Sequence, residues 1–254
     1  MEERKKLNKV IYGLVGKDIS YSFSKVFFSD KFINLGLKDH EYMNFDIEKI
    51  DDLSKIVDGF GISLKGFNVT IPYKQDIIRY IDNIDAAAKE IGAVNTVRIT
   101  SKGHLKGYNT DVVGFKKSIY PLLKPHHTKA LILGTGGASK AISYVFKQLG
   151  IDYLKVSRQA SNKEEIFYSN ITKELLNEYT IIVNSSPVGT FPNRSHKPAI
   201  PYQYITNKHL LFDLIYNPKQ TAFLKEGVKN GAQIKNGFEM LELQAEESWR
   251  IWNK

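Results

Sequence analysis

The stretch at 129–150, KALILGTGGASKAISYVFKQLG, constrains the fold of this chain more than any other. Four apolar residues, Ala130–Leu133, suit a short buried strand, and Gly134, Gly136 and Gly137 follow at once. Apolar residues then recur at Ala141, Ile142, Val145, Phe146 and Leu149, the spacing of a helix closed by Gly150. A strand that turns through glycines into a helix aims backbone N–H groups and a positive dipole end at one point. The result is a cradle for a phosphate or pyrophosphate. The spacing here is G-x-G-G-x-S, with Ser139 where a third small residue usually stands. A tight turn inside an α/β core has the same local pattern, so the surrounding sequence has to decide.

At 254 residues and 42% apolar, the chain can bury one large core or two of ordinary size. It has no cysteine, which excludes disulfides and Cys-ligated zinc or iron–sulfur clusters and suits a reducing compartment. No metal site is expected. The charged start, MEERKKLNKV, lacks the apolar core of a signal peptide, and no apolar run approaches the roughly 20 residues that cross a bilayer. A cytoplasmic protein without a membrane partner is expected. The net charge of +9 comes from dispersed Lys and Arg rather than a run or a nucleic-acid motif. Nucleic acid is therefore not an expected partner, and the positive field suits small anionic ligands.

Strand-like and helix-like stretches alternate along the first hundred residues. Strands are read at 10–15, 40–47 and 66–71, and helices around 25–35, 50–59, 73–81 and 85–91. A hairpin is read from 94–99 and 104–108 around Ser101-Lys102-Gly103. This predicts an α/β unit with a mostly parallel sheet and a hairpin at one edge. A helix over 111–122 ends at Lys124-Pro125-His126-His127, the strongest linker signal in the chain. Beyond it, strands at 130–133, 153–156, 180–183, 210–214 and 233–235 predict a doubly wound nucleotide-binding unit, with a helix at 222–230. A last helix is predicted over 238–252.

The strand after the glycine turn bears on which dinucleotide fits. NAD sites place an acidic residue about 20 positions on, at the end of the second strand, against the ribose 2′-hydroxyl. Here that strand ends in Ser157-Arg158, and Asp152 lies too early, before it. A guanidinium grips a 2′-phosphate and no carboxylate repels it, so NADP is favoured over NAD, with Lys163 assisting. In the first half, Asn68-Val69-Thr70-Ile71-Pro72-Tyr73-Lys74 ends a strand in polar side chains, a proline that blocks further pairing and a lysine. Gly107-Tyr108-Asn109-Thr110-Asp111 ends another, with Asp111 in position to cap the next helix. A lysine and an aspartate facing one crevice can move a proton to or from a hydroxyl. Taken singly, each also reads as an ordinary surface lysine and an N-cap.

Eight motifs in order carry a resemblance to the shikimate dehydrogenase family across nearly the whole length. They are Ser22-Phe23-Ser24, N-V-T-I-P-Y-K at 68–74, G-A-V-N-T at 92–96, G-Y-N-T-D at 107–111, G-T-G-G-A-S at 134–139, N-S-S-P-V-G at 184–189, D-L-I-Y-N-P at 213–218, and N-G-F-E-M-L at 236–241 with Gln244. The resemblance implies a substrate domain of residues 1–112 plus 238–254 and a Rossmann-type NADP domain of 113–237. Ser22 and Ser24 would bind the substrate carboxylate. Thr70, Asn95 and Gln244 would hold ring hydroxyls, with Asn68 supporting the pocket wall. Lys74 and Asp111 would be the catalytic pair. Gly134, Gly136, Gly137 and Ala138 would cradle the pyrophosphate, and Ser157 and Arg158 would meet the 2′-phosphate. Tyr216, counted with the substrate residues, and Gly237 would border the nicotinamide.

Two departures bear on cofactor preference. Ser157-Arg158-Gln159 replaces the family's Asn-Arg-Thr, with the second basic residue near Asn162-Lys163, and Thr190 stands where a methionine is common. The implied reaction is reversible hydride transfer between NADPH and 3-dehydroshikimate by a monomer or homodimer with small-molecule partners only. Quinate or dual quinate/shikimate oxidation stays open on the same fold, although the paired serines leave less room for the extra hydroxyl. A methylenetetrahydrofolate-type enzyme gives those serines no role. A non-catalytic NADPH or metabolite sensor is disfavoured by Lys74 and Asp111.

Overall fold

Two sets of buried apolar runs build two six-stranded sheets in the computed structural model, which describes residues 9–20, 22–159 and 164–254. The chain divides into two units. The first runs up to Thr110 and takes in Ala245–Lys254, and the second is Asp111–Gln244.

The first unit contains β1 (Val10–Gly16), α1 (Phe23–Asn34), β2 (His40–Asp46), α2 (Leu53–Phe60), β3 (Leu64–Val69), β4 (Asn83–Ile84), α3 (Ala86–Ile91), β5 (Thr96–Ile99) and β6 (Leu105–Tyr108). Its sheet order is β2-β1-β3-β5-β6-β4. β1 is parallel to β2 and β3, whereas β5 is antiparallel to β3 and β6. The hairpin lies one strand in from the expected edge, because two residues, Asn83 and Ile84, pair with β6 outside it. β1 is buried on both faces, as a central parallel strand must be. Ile11 and Val15 join one core with Leu64, Phe67 and Val97, while Tyr12 and Leu14 join another with Phe28, Phe32 and Tyr42.

The second unit contains α4 (Asp111–Ile119), β7 (Lys129–Leu133), α5 (Gly137–Leu149), β8 (Asp152–Ser157), β9 (Glu165–Phe167), α6 (Lys173–Glu178), β10 (Ile181–Asn184), β11 (Leu210–Asp213), α7 (Ala222–Lys229) and β12 (Gln233–Lys235). Its all-parallel sheet has the order β12-β11-β10-β7-β8-β9. The order reverses between β7 and β10, the switch point where doubly wound sheets open for ligands. Phe115 of α4 packs edge-on against Phe146, at 5.4 Å between ring centroids, and against Phe212, at 5.2 Å. Each such aromatic pair adds about 0.5–1.5 kcal/mol beyond its buried area.

The last helix, α8 (Phe238–Trp252), begins in the second unit and ends in the first. Within the first unit Trp252 stacks on Tyr12 at 4.7 Å and donates its indole N–H to the Val97 carbonyl at 3.0 Å. Gly66 makes that approach possible, since a Cβ there would stand 2.4 Å from the Trp252 ring.

The sequence overstates Lys124–His127 as a boundary. The segment is a turn inside the second unit, where His127 accepts from the Lys124 N–H at Nδ1 (3.0 Å) and donates from Nε2 to the Lys208 carbonyl (3.1 Å). Pro and His mark a turn, and only side-chain packing distinguishes a buried turn from a linker. β9 and α6 escape the sequence because three and six residues show no period. Among the described residues no helix is long and apolar enough to cross a membrane, and no group of three or more His, Asp or Glu could hold a metal ion.

His209 repeats the His127 arrangement, accepting from the Thr206 N–H at 3.0 Å and donating to the Leu176 carbonyl at 2.9 Å. Burial lowers the pKa of both rings, and in each the unprotonated nitrogen already receives a backbone donor. Below about pH 6.5 the unfolded chain takes up protons that these rings refuse, so their contribution to stability falls as pH drops. From about pH 7.5 to 5.5 the wild-type urea midpoint is expected to fall further than that of His209→Gln. Equal falls would remove His209 as a source.

Candidate functional site

In the first unit the polar strand ends converge on a buried cluster. Asn68, 5% exposed, accepts from the Tyr42 hydroxyl at 2.8 Å. Its amide donates to Ser248 Oγ (2.9 Å), Thr96 Oγ1 (3.1 Å) and the Asn95 carbonyl (3.3 Å). Asn95, 2% exposed, has its Oδ1 turned inward to the Thr110 N–H (2.7 Å) and to the Thr110 and Thr96 hydroxyls. Asn68 is thus the hub of a wall, and Asn95 is oriented by it.

Ser22 is the N-cap of α1, accepting from the Ser24 N–H at 3.2 Å. Ser24 is buried against the Tyr42 phenol, which ties it to the Asn68 cluster; burial raises the Tyr42 pKa and the Ser24 hydrogen bond opposes that rise. The loop before α1 is held by Asp46, which accepts from the N–H groups of Asp18 and Ile19. Thr70, half-buried, packs its methyl where a Cβ on Gly16 would stand, only 2.6 Å away. The segment after β3 is fixed by Tyr73, whose hydroxyl donates to the Ile47 carbonyl (2.7 Å), and by the Val94 N–H, which donates to the Lys74 carbonyl (2.7 Å). Lys74 itself is half-buried. Thr96, Thr110, Ser248 and Tyr42 complete this cluster without having been read from the sequence, although Thr96 and Thr110 lie inside two of the quoted motifs.

In the second unit Asp111 is 5% exposed and is the first residue of α4 rather than its cap. α8 lies close to α4, since a Cβ on Gly114 would meet the Met240 carbonyl at 2.5 Å and Gln244 Cβ at 3.1 Å. Asp111 and Gln244 therefore stand on adjoining helices of one unit.

The glycine turn separates into two kinds of glycine. Gly134 has φ +123°, and a Cβ there would stand 2.9 Å from Ser185 Oγ, so the fold itself requires it. Gly136 has an ordinary φ of −73°, and no described residue outside its own turn and helix comes within 4 Å of a Cβ built on it. Its open side leaves room for another molecule's backbone-close approach. α5 starts there with no side-chain cap and no acidic residue in its first turn, so the N–H groups of Gly137 and Ala138 face the same opening at the positive end of a 13-residue helix. Ser139 is fully buried and donates to the Gly136 carbonyl at 2.6 Å, so it braces the turn from within.

β8 ends at Ser157, whose hydroxyl is held in a turn with Gln159, and Arg158 stands exposed beyond it. Lys163 lies outside the described residues. Gly237 is buried and donates to the Ile215 carbonyl at 3.2 Å beside the half-buried Tyr216.

A doubly wound parallel sheet with an open glycine turn at its switch point, carried in one chain with a mixed-sheet unit of polar strand ends, defines a two-domain dinucleotide-binding α/β protein. A family model described as shikimate dehydrogenase substrate binding domain matches residues 14–97. A Methanococcus vannielii protein named shikimate dehydrogenase (NADP(+)) is 36% identical, covering 96% of this chain and 91% of its own. Shikimate dehydrogenase 1 from Peptoclostridium difficile superposes with a TM-score of 0.84 at 36% identity, covering 96% of this chain and 92% of that one. Shikimate 5-dehydrogenase from Thermus thermophilus, solved with NADP(H) and shikimate, gives 0.84 at 26% identity, covering 96% and 93%. The chain belongs to the shikimate dehydrogenase family.

The two kinds of glycine predict different costs. Gly237→Ala would drive a Cβ to 2.0 Å from the Leu214 carbonyl oxygen and is expected to destabilise the protein strongly, on the order of 3 kcal/mol. Gly136→Ala meets no described residue outside its own turn and helix and should leave the unfolding midpoint unchanged. Comparable losses in the two variants, measured by denaturant titration, would contradict this division.

Proposed function

We propose that the chain catalyses the reversible, NADPH-dependent reduction of 3-dehydroshikimate to shikimate, running reductively as a step toward aromatic amino acids. The observation that carries this reading is the kinship along almost the whole chain, at 36% identity, with a protein named shikimate dehydrogenase (NADP(+)). The solved relative holding both NADP(H) and shikimate supports the same pair of ligands. We take the enzyme to be cytoplasmic, acting as a monomer or homodimer.

Reduction of a ketone needs a hydride at carbon and a proton at oxygen. Bound NADPH supplies the hydride. In our reading Lys74 and Asp111 act as one acid–base unit that delivers the proton and takes it back in the oxidative direction. Ser22 and Ser24 receive the substrate carboxylate with two hydroxyl donors. Thr70, Asn95 and Gln244 hold the ring hydroxyls, while Asn68, whose polar atoms are engaged inside the wall, fixes Asn95 rather than reaching substrate. The dinucleotide fits the second unit because Gly136 leaves its open side to a ligand and α5 starts without a cap. Gly134, Gly136, Gly137 and Ala138 are the pyrophosphate cradle in this reading, Arg158 with Ser157 meets the 2′-phosphate, and Tyr216 and Gly237 flank the nicotinamide.

Following reduced nicotinamide absorbance with shikimate and NADP⁺ tests the reading directly. Lys74→Ala is expected to lower kcat by about 10²–10⁴ with a smaller change in KM. An unchanged kcat would remove Lys74 from the chemistry. Arg158→Ala is expected to raise KM for NADP⁺ about tenfold while leaving NAD⁺ unaffected. Equal efficiency of wild type with both cofactors would overturn the role given to Arg158.

A further inference from the structure

Asp213, the last residue of β11, is fully buried and has no assigned part in the reaction. Its Oδ1 accepts from Asn184 Nδ2 at 3.0 Å and from the Ile215 N–H at 3.1 Å, and its Oδ2 accepts from the Thr221 hydroxyl at 2.5 Å. The partners belong to two loops at the open end of the sheet, Asn184 to the one after β10 and Ile215 and Thr221 to the two ends of the one after β11. Asn184, the last residue of β10, also donates to the Val188 carbonyl (3.2 Å) and accepts from Ser186 at both its N–H (3.1 Å) and its hydroxyl (2.6 Å). The turn after β10 is therefore wound around one side chain. Its neighbour Ser185 donates its N–H and hydroxyl to the Leu133 carbonyl, each at 3.0 Å, beside the fold-required Gly134. Ile215 passes the link on, since its carbonyl accepts from Gly237. Thr221 caps α7 through the Leu224 N–H.

A continuous chain of contacts thus runs from the glycine turn after β7, across the ends of β10 and β11, to Gly237 at the start of α8. Asp213 sits at its middle. Among the described residues no cation stands against this buried carboxylate, an unfavourable choice for stability alone, since an apolar or amide side chain fills the space without the charge. Burial pushes its pKa up to about 6, opposed by the hydrogen bonds from Thr221, Ile215 and Asn184. Its charge is felt by the Tyr202 phenol, which donates to the Pro198 carbonyl. What a carboxylate supplies and a neutral group does not is acceptance from three donors at once, tying the end of β10 to both ends of the loop after β11.

We propose that Asp213 is a positioning residue for the cofactor, locking the turns at 184–189 and 214–217 to each other so that the residues flanking the nicotinamide hold one spacing from the glycine turn. This rests on the reading that the second unit binds NADP(H). Asp213 acts through Asn184, Ile215 and Thr221 and touches neither ligand.

The test is NADPH binding, followed by nicotinamide fluorescence without turnover, in Asp213→Asn, Thr221→Val and Thr221→Ser, with unfolding midpoints measured in parallel. Asp213→Asn keeps the shape but turns one acceptor into a donor, and Thr221→Val removes one grip. Both are expected to raise the NADPH Kd about tenfold while changing the KM for shikimate less than about twofold. Thr221→Ser, which keeps the hydroxyl, is expected to bind as wild type. Wild-type NADPH affinity in Asp213→Asn, or an equal loss toward shikimate, would overturn the positioning role and leave only a structural one. If Asp213→Asn does not fold, the contrast between Thr221→Val and Thr221→Ser gives the same decision. A wild-type chain that binds no NADPH overturns the functional reading itself, and this assignment with it.

Discussion

An α/β sheet must leave the carboxyl ends of its strands open to hold a ligand, yet every backbone and side-chain polar group sealed near those ends needs a partner. Both units meet this constraint with an asparagine at or next to a strand end. Asn68 joins β3 to β5 and the last helix, and Asn184 joins β10 to β11 and the turn that follows. A carboxamide suits the place because it donates twice and accepts twice. With the ends satisfied from inside, the residues a few positions further on are left to face outward. Thr70 and Lys74, both half-buried, follow Asn68 in this way.

This division separates walls from contacts within each motif. In N-V-T-I-P-Y-K the first residue is structural and the third and seventh are the ligand candidates. In G-T-G-G-A-S the first glycine serves the fold, the second leaves its side open, and the serine turns inward. Motif membership therefore does not assign a role to each letter. The hydrogen-bond partners do.

Much of this was legible from residue order. Continuous apolar runs at β7, β10 and β11, and the helical period of α5 and α8, place the doubly wound sheet, because burial on both faces and a 3.6-residue repeat leave patterns that survive in one dimension. The glycine turn was legible for the same reason. The Asn68 hub was not, since Tyr42, Thr96 and Ser248 lie 26, 28 and 180 residues away from it. Long-range side-chain satisfaction has no local signature. Lys124–His127 misleads for a related reason: proline and histidine announce a turn, and whether it is sealed depends on Lys208, which meets His127 from 81 residues along the chain.

Ser248 and Trp252 complete the first unit, yet they follow the whole second unit in the chain. During synthesis the first hundred residues emerge with Asn68 short of one acceptor and the face over Gly66 uncovered. The second unit ends at Gln244, so all of it is made before that tail emerges. The part of the protein made first is the part finished last.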